Sequence, residues 1–150
     1  MSIVSEIMSA IRSAILTAYP TKLELVNRED LAMNPDHILG NGFDVLIGSA
    51  TNEGEMGGRG NSFQRNISVI LSKRVVDSDL QNDSKHDTEK ILLDEMIAIA
   101  SLLKTNQPVV QKVLNLECVG DAGISVTNAE KVKFISTQLD FNIKYVEFYN

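Results

Sequence analysis

The side chains that could do chemistry fall in a few short stretches. Residues 52–61 hold Gly54, Gly57, Gly58 and Gly60 together with Glu53, Glu55 and Arg59. A glycine-rich loop binds phosphate when a Gly-Lys-Ser/Thr end leads into a helix, so that backbone N–H groups and the lysine face the anion. Here Asn61 and Phe63 follow and lead into a strand pattern, and two carboxylates sit where phosphate would be repelled. The stretch is expected to be a mobile hairpin loop of about ten residues joining two antiparallel strands, far longer than a tight turn needs. Long loops on rigid sheets commonly carry contacts. Glu53, Glu55, Met56 and Arg59 are therefore candidate partner-contact residues, and deleting residues 54–60 is expected to spare the fold and impair that contact.

Other reactive types lead nowhere specific. Asp77, Asp79 and Asp83 have some of the spacing of a calcium loop. Such a loop starting at Asp77 would want Gly at its sixth place and Glu at its twelfth, where Asn82 and Thr88 stand. His37 and His86 are the only histidines and belong to no His-x-x-x-His pair, so zinc has no basis. The single cysteine, Cys118, excludes an internal disulfide and sits in an apolar run, as a small buried hydrophobe would. No Gly-x-Ser-x-Gly elbow and no recognisable acid/base pair of carboxylates is present. No catalytic residue, metal ligand or cofactor is assigned, and the chain is expected not to be an enzyme.

These stretches must sit on a scaffold. At 150 residues the chain is expected to be one domain with a real core. Its 43% hydrophobic and 23% charged residues suit a folded protein. A net charge of −6 argues against gripping nucleic-acid backbone over a broad face, while allowing DNA to slide past. No run of about 18 apolar residues could span a membrane. The first residues lack the basic and apolar regions of a signal peptide, so a reducing cytoplasm, or something assembled there, is the expected site.

Ile3, Ile7, Ile11, Ala14, Ile15 and Ala18 recur three or four apart and predict a helix over 2–18, with Ser2 as its cap. A short strand is expected within 22–26, a strand over 43–48 and a longer one over 63–76. The polar run 77–87 reads as a loop or helix lead-in, and 89–105 as the second helix. A strand over 113–119, a turn at Gly120, Asp121, Ala122 and Gly123, and a return strand over 124–126 follow. The cleanest alternation is 134–149, where Ile135, Thr137, Leu139, Phe141, Ile143 and Tyr145 share one face. Together these give an α+β domain, a mostly antiparallel sheet with two helices on one face and the N-terminal helix first. Charge is uneven along it. Arg65, Lys73 and Arg74 form a basic stretch just before the acidic Asp77, Asp79 and Asp83. Subunits that meet unlike faces in a ring would show such a pattern.

The order of these elements resembles a known family. A helix at 2–18 precedes a hairpin with a Gly/Glu loop, 43–76, and a helix after an acidic linker, 89–105. A Gly-Asp turn, 120–123, and a closing strand ending in aromatics, 134–149, complete the series. The chain looks like the tail-terminator proteins of long-tailed bacteriophages and the small neck and tail-completion proteins that share their fold. The resemblance covers nearly the whole chain. It implies a homo-hexameric ring that caps the tail tube protein, ends tube polymerisation and meets the head–tail connector protein. It further implies a lumen through which DNA passes without specific binding. On that reading the 53–59 loop is the arm toward tube or neighbour, and Arg65, Lys73 and Arg74 pair with Asp77, Asp79 or Asp83 between subunits. An acidic lumen would keep DNA from sticking. A head-side neck or tail-completion protein, and a non-viral α+β binding adaptor, are the alternatives.

Overall fold

A computed structural model of the chain describes residues 2–24, 40–55, 57–75, 84–129 and 132–148. The first helix, α1, spans Ile3–Ala18 and begins where the sequence places it. Ser2 caps it, its Oγ accepting from Ser5 N–H at 3.2 Å. Ile7, Met8, Ile11, Ala14 and Ile15 form its buried stripe. A distant residue completes the cap. Ile3 N–H donates to Glu147 Oε1 at 2.8 Å, and Val4 N–H lies 3.4 Å from Oε2. A carboxylate there satisfies helix N–H groups that have no partner within the helix and complements the helix dipole.

Five strands follow: β1 (Leu23–Glu24), β2 (Asn41–Glu55), β3 (Gly60–Arg74), β4 (Asn115–Ala129) and β5 (Val132–Phe148). Helix α2 (Ser84–Thr105) and the short α3 (Gln107–Val110) lie between β3 and β4. The sheet order is β1-β2-β3-β5-β4, and only β1–β2 is parallel. The domain is thus α+β with a mostly antiparallel sheet. Phe43 and Val45 of β2, Ile67, Val69 and Leu71 of β3, and Ile135 to Tyr145 in alternation on β5 turn to one face. There they meet Ile7, Ile11 and Ile15 of α1 and Leu92, Met96, Ile99 and Leu103 of α2 in a single core. Thr137 is the polar member of the β5 row, and its hydroxyl is satisfied by the Gly123 carbonyl at 3.0 Å.

Three expectations are corrected. The glycine-rich stretch is not a ten-residue loop: β2 runs to Glu55 and β3 starts at Gly60, so the connection is only residues 56–59. Residues 51–55 of β2 have both faces of an edge exposed, so nothing imposes an apolar alternation there. Deleting 54–60 would also remove buried Gly60, where an added Cβ would lie 2.2 Å from Glu147 O. Second, residues 120–123 are not a turn. β4 pairs with β5 on both sides of them, with register shifts between Cys118 and Gly120 and between Asp121 and Ile124. Gly123, at φ 76°, and Asp121, whose Oδ1 accepts from Gly123 N–H at 2.8 Å, shape a bulge in a continuing strand. Third, α2 begins at Ser84 rather than 89, and α3 is an addition. Asn106 caps α3 through its side chain, with Pro108 in the first turn.

Candidate functional site

The tip of the β2–β3 hairpin keeps its candidate contact residues on the surface. Glu53, Glu55 and Arg59 are exposed, and Met56 lies outside the described residues. Glu53 pairs with Lys144 at 3.5 Å, a partly exposed contact of little energetic weight.

The candidate interface cations have different fates. Arg65 is engaged within its own chain. Its Nε donates to Tyr145 Oη at 3.0 Å and its Nη1 to the Gly48 carbonyl at 2.7 Å. The Tyr145 ring stacks on Phe63 at 5.8 Å, so one arginine ties β2, β3 and β5 together. Lys73 pairs with Glu95 Oε1 at 2.9 Å. Arg74 is exposed at the end of β3. Asp77, Asp79 and Asp83 lie outside the described residues, as do His37 and the side chain of His86. Cys118 is half-buried on β4 and packs against the core.

Lys73 belongs to a cluster that the sequence reading did not find. Lys22, in the turn after α1, has a side chain with 0% exposure. Its Nζ lies 2.8 Å from Glu95 Oε2 and donates to Asn41 Oδ1 at 2.9 Å. The approach to Oε2 is short but poorly directed for a hydrogen bond, so ion pairing carries it. Asn41 Oδ1 also lies 3.3 Å from Lys73 Nζ, and the Tyr19 ring centroid 5.5 Å from Lys22 Nζ. Burial lowers the Lys22 ammonium from its ordinary value of 10.5, against a partial upward pull from Glu95. Burial, with Glu95 second, raises the Tyr19 phenol. The sequence signal was Glu95 itself, an acid among the apolar positions of α2 next to Met96, with Asp94 beside it.

The face of the sheet away from the helices carries hydroxyls and carboxamides. Gln138 Nε2 donates to Asp140 Oδ1 at 2.9 Å and to Ser68 Oγ at 3.2 Å, while Ser68 Oγ donates to Asp140 Oδ1 at 2.7 Å. Both outer strands present edges. Beyond Phe43 the outer side of β2 has no strand beside it among the described residues, and nor does that of β4. Leu46 and Ile47 are exposed on the first, Val119 and Val126 on the second, with Leu114 just before it. A shallow groove runs between α1 and β2, lined by Met8, Ser9, Arg12, Leu46 and Ile47 among others. Among the described residues no group of three His, Cys, Asp or Glu could hold a metal, and no helix is long and apolar enough to cross a membrane. No protein-family model matches the chain, and no curated protein matches it.

Proposed function

We propose that this chain is a structural subunit of a phage tail. In this reading it forms a ring on the last layer of the tail tube, ends tube polymerisation and makes the joint to the head connector. It works in the virion after assembly in the host cytoplasm. The observation that carries the reading is the element order. A capped N-terminal helix, a β2–β3 hairpin, a second helix and a long closing strand keep the order on which the resemblance to tail terminators rests, although its long loop is a short connection and its Gly-Asp turn is a bulge in β4. The outer sides of β2 beyond Phe43 and of β4, which have no strand beside them among the described residues, support it. They lie on opposite sides of one sheet and carry different side chains, so each copy offers unlike surfaces to two neighbours, as a closed head-to-tail ring requires. A head-side neck or tail-completion role rests on the same fold.

One observation favours a second reading, a binding adaptor. β4 offers a 15-residue edge with Val119 and Val126 exposed, onto which an extended peptide could add as a strand. Tube assembly separates the two. Tail tube protein polymerised with this chain should give shorter tubes with a ring at one end. Tubes of unchanged length with bare ends would remove the terminator reading.

A further inference from the structure

We propose that copies of this chain join edge to edge, residues 115–121 of β4 in one copy pairing antiparallel with residues 45–51 of β2 in the next. This rests on the ring reading and names its interface. The ladders carry each level of the sheet from one edge to the other. Val45 pairs with Val69, Val69 with Leu139, and Leu139 with Asp121. Two residues along, Ile47, Ile67, Phe141 and Cys118 are aligned in the same way. Ala50 leads across to Leu116, and Thr51 to Asn115. Three antiparallel pairings separate β2 from β4, so the two edges run in opposite directions. Copies in a closed ring are related by rotation without a rise. With the strands along the ring axis, β4 of one copy therefore meets β2 of the next antiparallel and at the same level.

The shapes of the two edges agree with that placement. β1 occupies the outer side of β2 at Gly42 and Phe43, whose levels on β4 are Ser125 and Ile124. The register shift between Asp121 and Ile124 falls just before that level. A bulge bends its strand, so β4 turns aside where the edge of the next copy is already taken by β1. The side chains agree as well. Arg12 lines the groove beside Val45 and Ile47, and its ion pair with Glu24 is long, at 4.0 Å. Asp121 is exposed and stands opposite buried Leu139, on the helix side of the sheet. At the level of Val45 its carboxylate comes beside the Arg12 guanidinium. The acid next to Val45 on β2, Asp44, belongs to the other face. Exposed Ile47 is covered by Cys118 in the same step. The pairing thus satisfies open backbone groups of both edges, buries apolar side chains and joins opposite charges.

The native cysteine makes the register testable. Within one chain Ile47 and Cys118 lie three strand spacings apart, about 14 Å, beyond the reach of a disulfide. Between paired copies their Cβ atoms would face each other at about 5 Å. Ile47→Cys oxidised with diamide, alone and with tail tubes added, should therefore give a ladder of covalent oligomers on non-reducing gels through native Cys118. No ladder from the folded variant would overturn the proposal. A ladder that survives in Ile47→Cys/Cys118→Ser would overturn it too, since two like edges would then be meeting. Charge reversal gives a second readout in light scattering. Arg12→Glu and Asp121→Lys should each raise the concentration needed for assembly on the order of tenfold, and the two together should restore it to within about threefold. Both side chains are on the surface, and circular dichroism checks that the variants fold. A wild type that stays monomeric alone and on tubes removes the ring reading and this pairing together. Wild-type rings that give no cross-link and ignore Arg12→Glu remove the pairing alone.

Discussion

The central and outer ladders of this sheet are built differently. β3 and β5 pair without interruption from Gly60↔Phe148 to Arg74↔Phe134. Each outer strand breaks register twice, β2 between Ile47 and Ala50 and between Asn52 and Gly54, β4 at Cys118/Gly120 and Asp121/Ile124. The central pair is covered by helices on one face, so its inward positions must be apolar. The outer strands beyond the helix layer have no such constraint. They can accept glycine, bulges and charge, which bend an edge and discourage indiscriminate strand addition. A long central ladder gives rigidity, and irregular edges leave contact surfaces specific in shape.

The difference can be broken by substitution. Phe141→Ala, at a fully buried central position, should cost about 3–5 kcal/mol in urea unfolding. Val126→Ala on the exposed edge should stay within about 0.5 kcal/mol. Equal costs would erase the distinction. Gly60→Ala comes next. Its Cβ would meet the Glu147 carbonyl at 2.2 Å, so β3 and the end of β5 must part, at about 2–3 kcal/mol. Loosening there should also expose the α1 cap to hydrogen exchange, because Glu147 supplies it.

A smaller effect is expected at the β4 bulge. Gly123 has φ 76° and open space around it, so Gly123→Ala should cost about 1 kcal/mol from backbone strain alone. The smallest effect is a pH dependence at the Lys22–Glu95–Lys73 cluster. Burial makes the folded chain release the Lys22 proton more readily than the unfolded chain, whose value is 10.5. Below the lowered folded value both states hold the proton and the desolvation cost is fully present. That cost is relieved as pH rises from the lowered value to 10.5, so this group's contribution to stability increases across that window. Tyr19 is shifted the other way and opposes the trend once pH rises through 10.0. The stability of the wild type relative to Lys22→Met should therefore grow as pH rises from the lowered folded value toward 10.5, as followed by chemical denaturation.

What the sequence disclosed follows the same division. The α1 stripe and the alternation of β5 were legible because each buries one face and leaves its period in the residues. Residues 52–55 and 120–123 read as loop and turn because strand residues exposed on both faces leave no period to detect. The exposed Glu53, Glu55 and Arg59 were legible as surface residues, although Glu53 and Glu55 stand in β2 and only Arg59 lies on the short connection. The Lys22–Glu95–Lys73 cluster was hidden for another reason. Lys22, Asn41, Lys73 and Glu95 come from four parts of the chain, and only the fold brings them together. Arg65 similarly looked like a free cation because its partners, Tyr145 and Gly48, are remote in sequence.

The central claim is that the two unlike edges let copies of this chain close into a ring. Absolute mass by light scattering over a range of concentrations, alone and with tail tubes added, tests it most directly when paired with negative-stain images. The expected result is a six-fold ring, free or seated on tube ends. A monomer at every concentration that also leaves tube ends bare would contradict it.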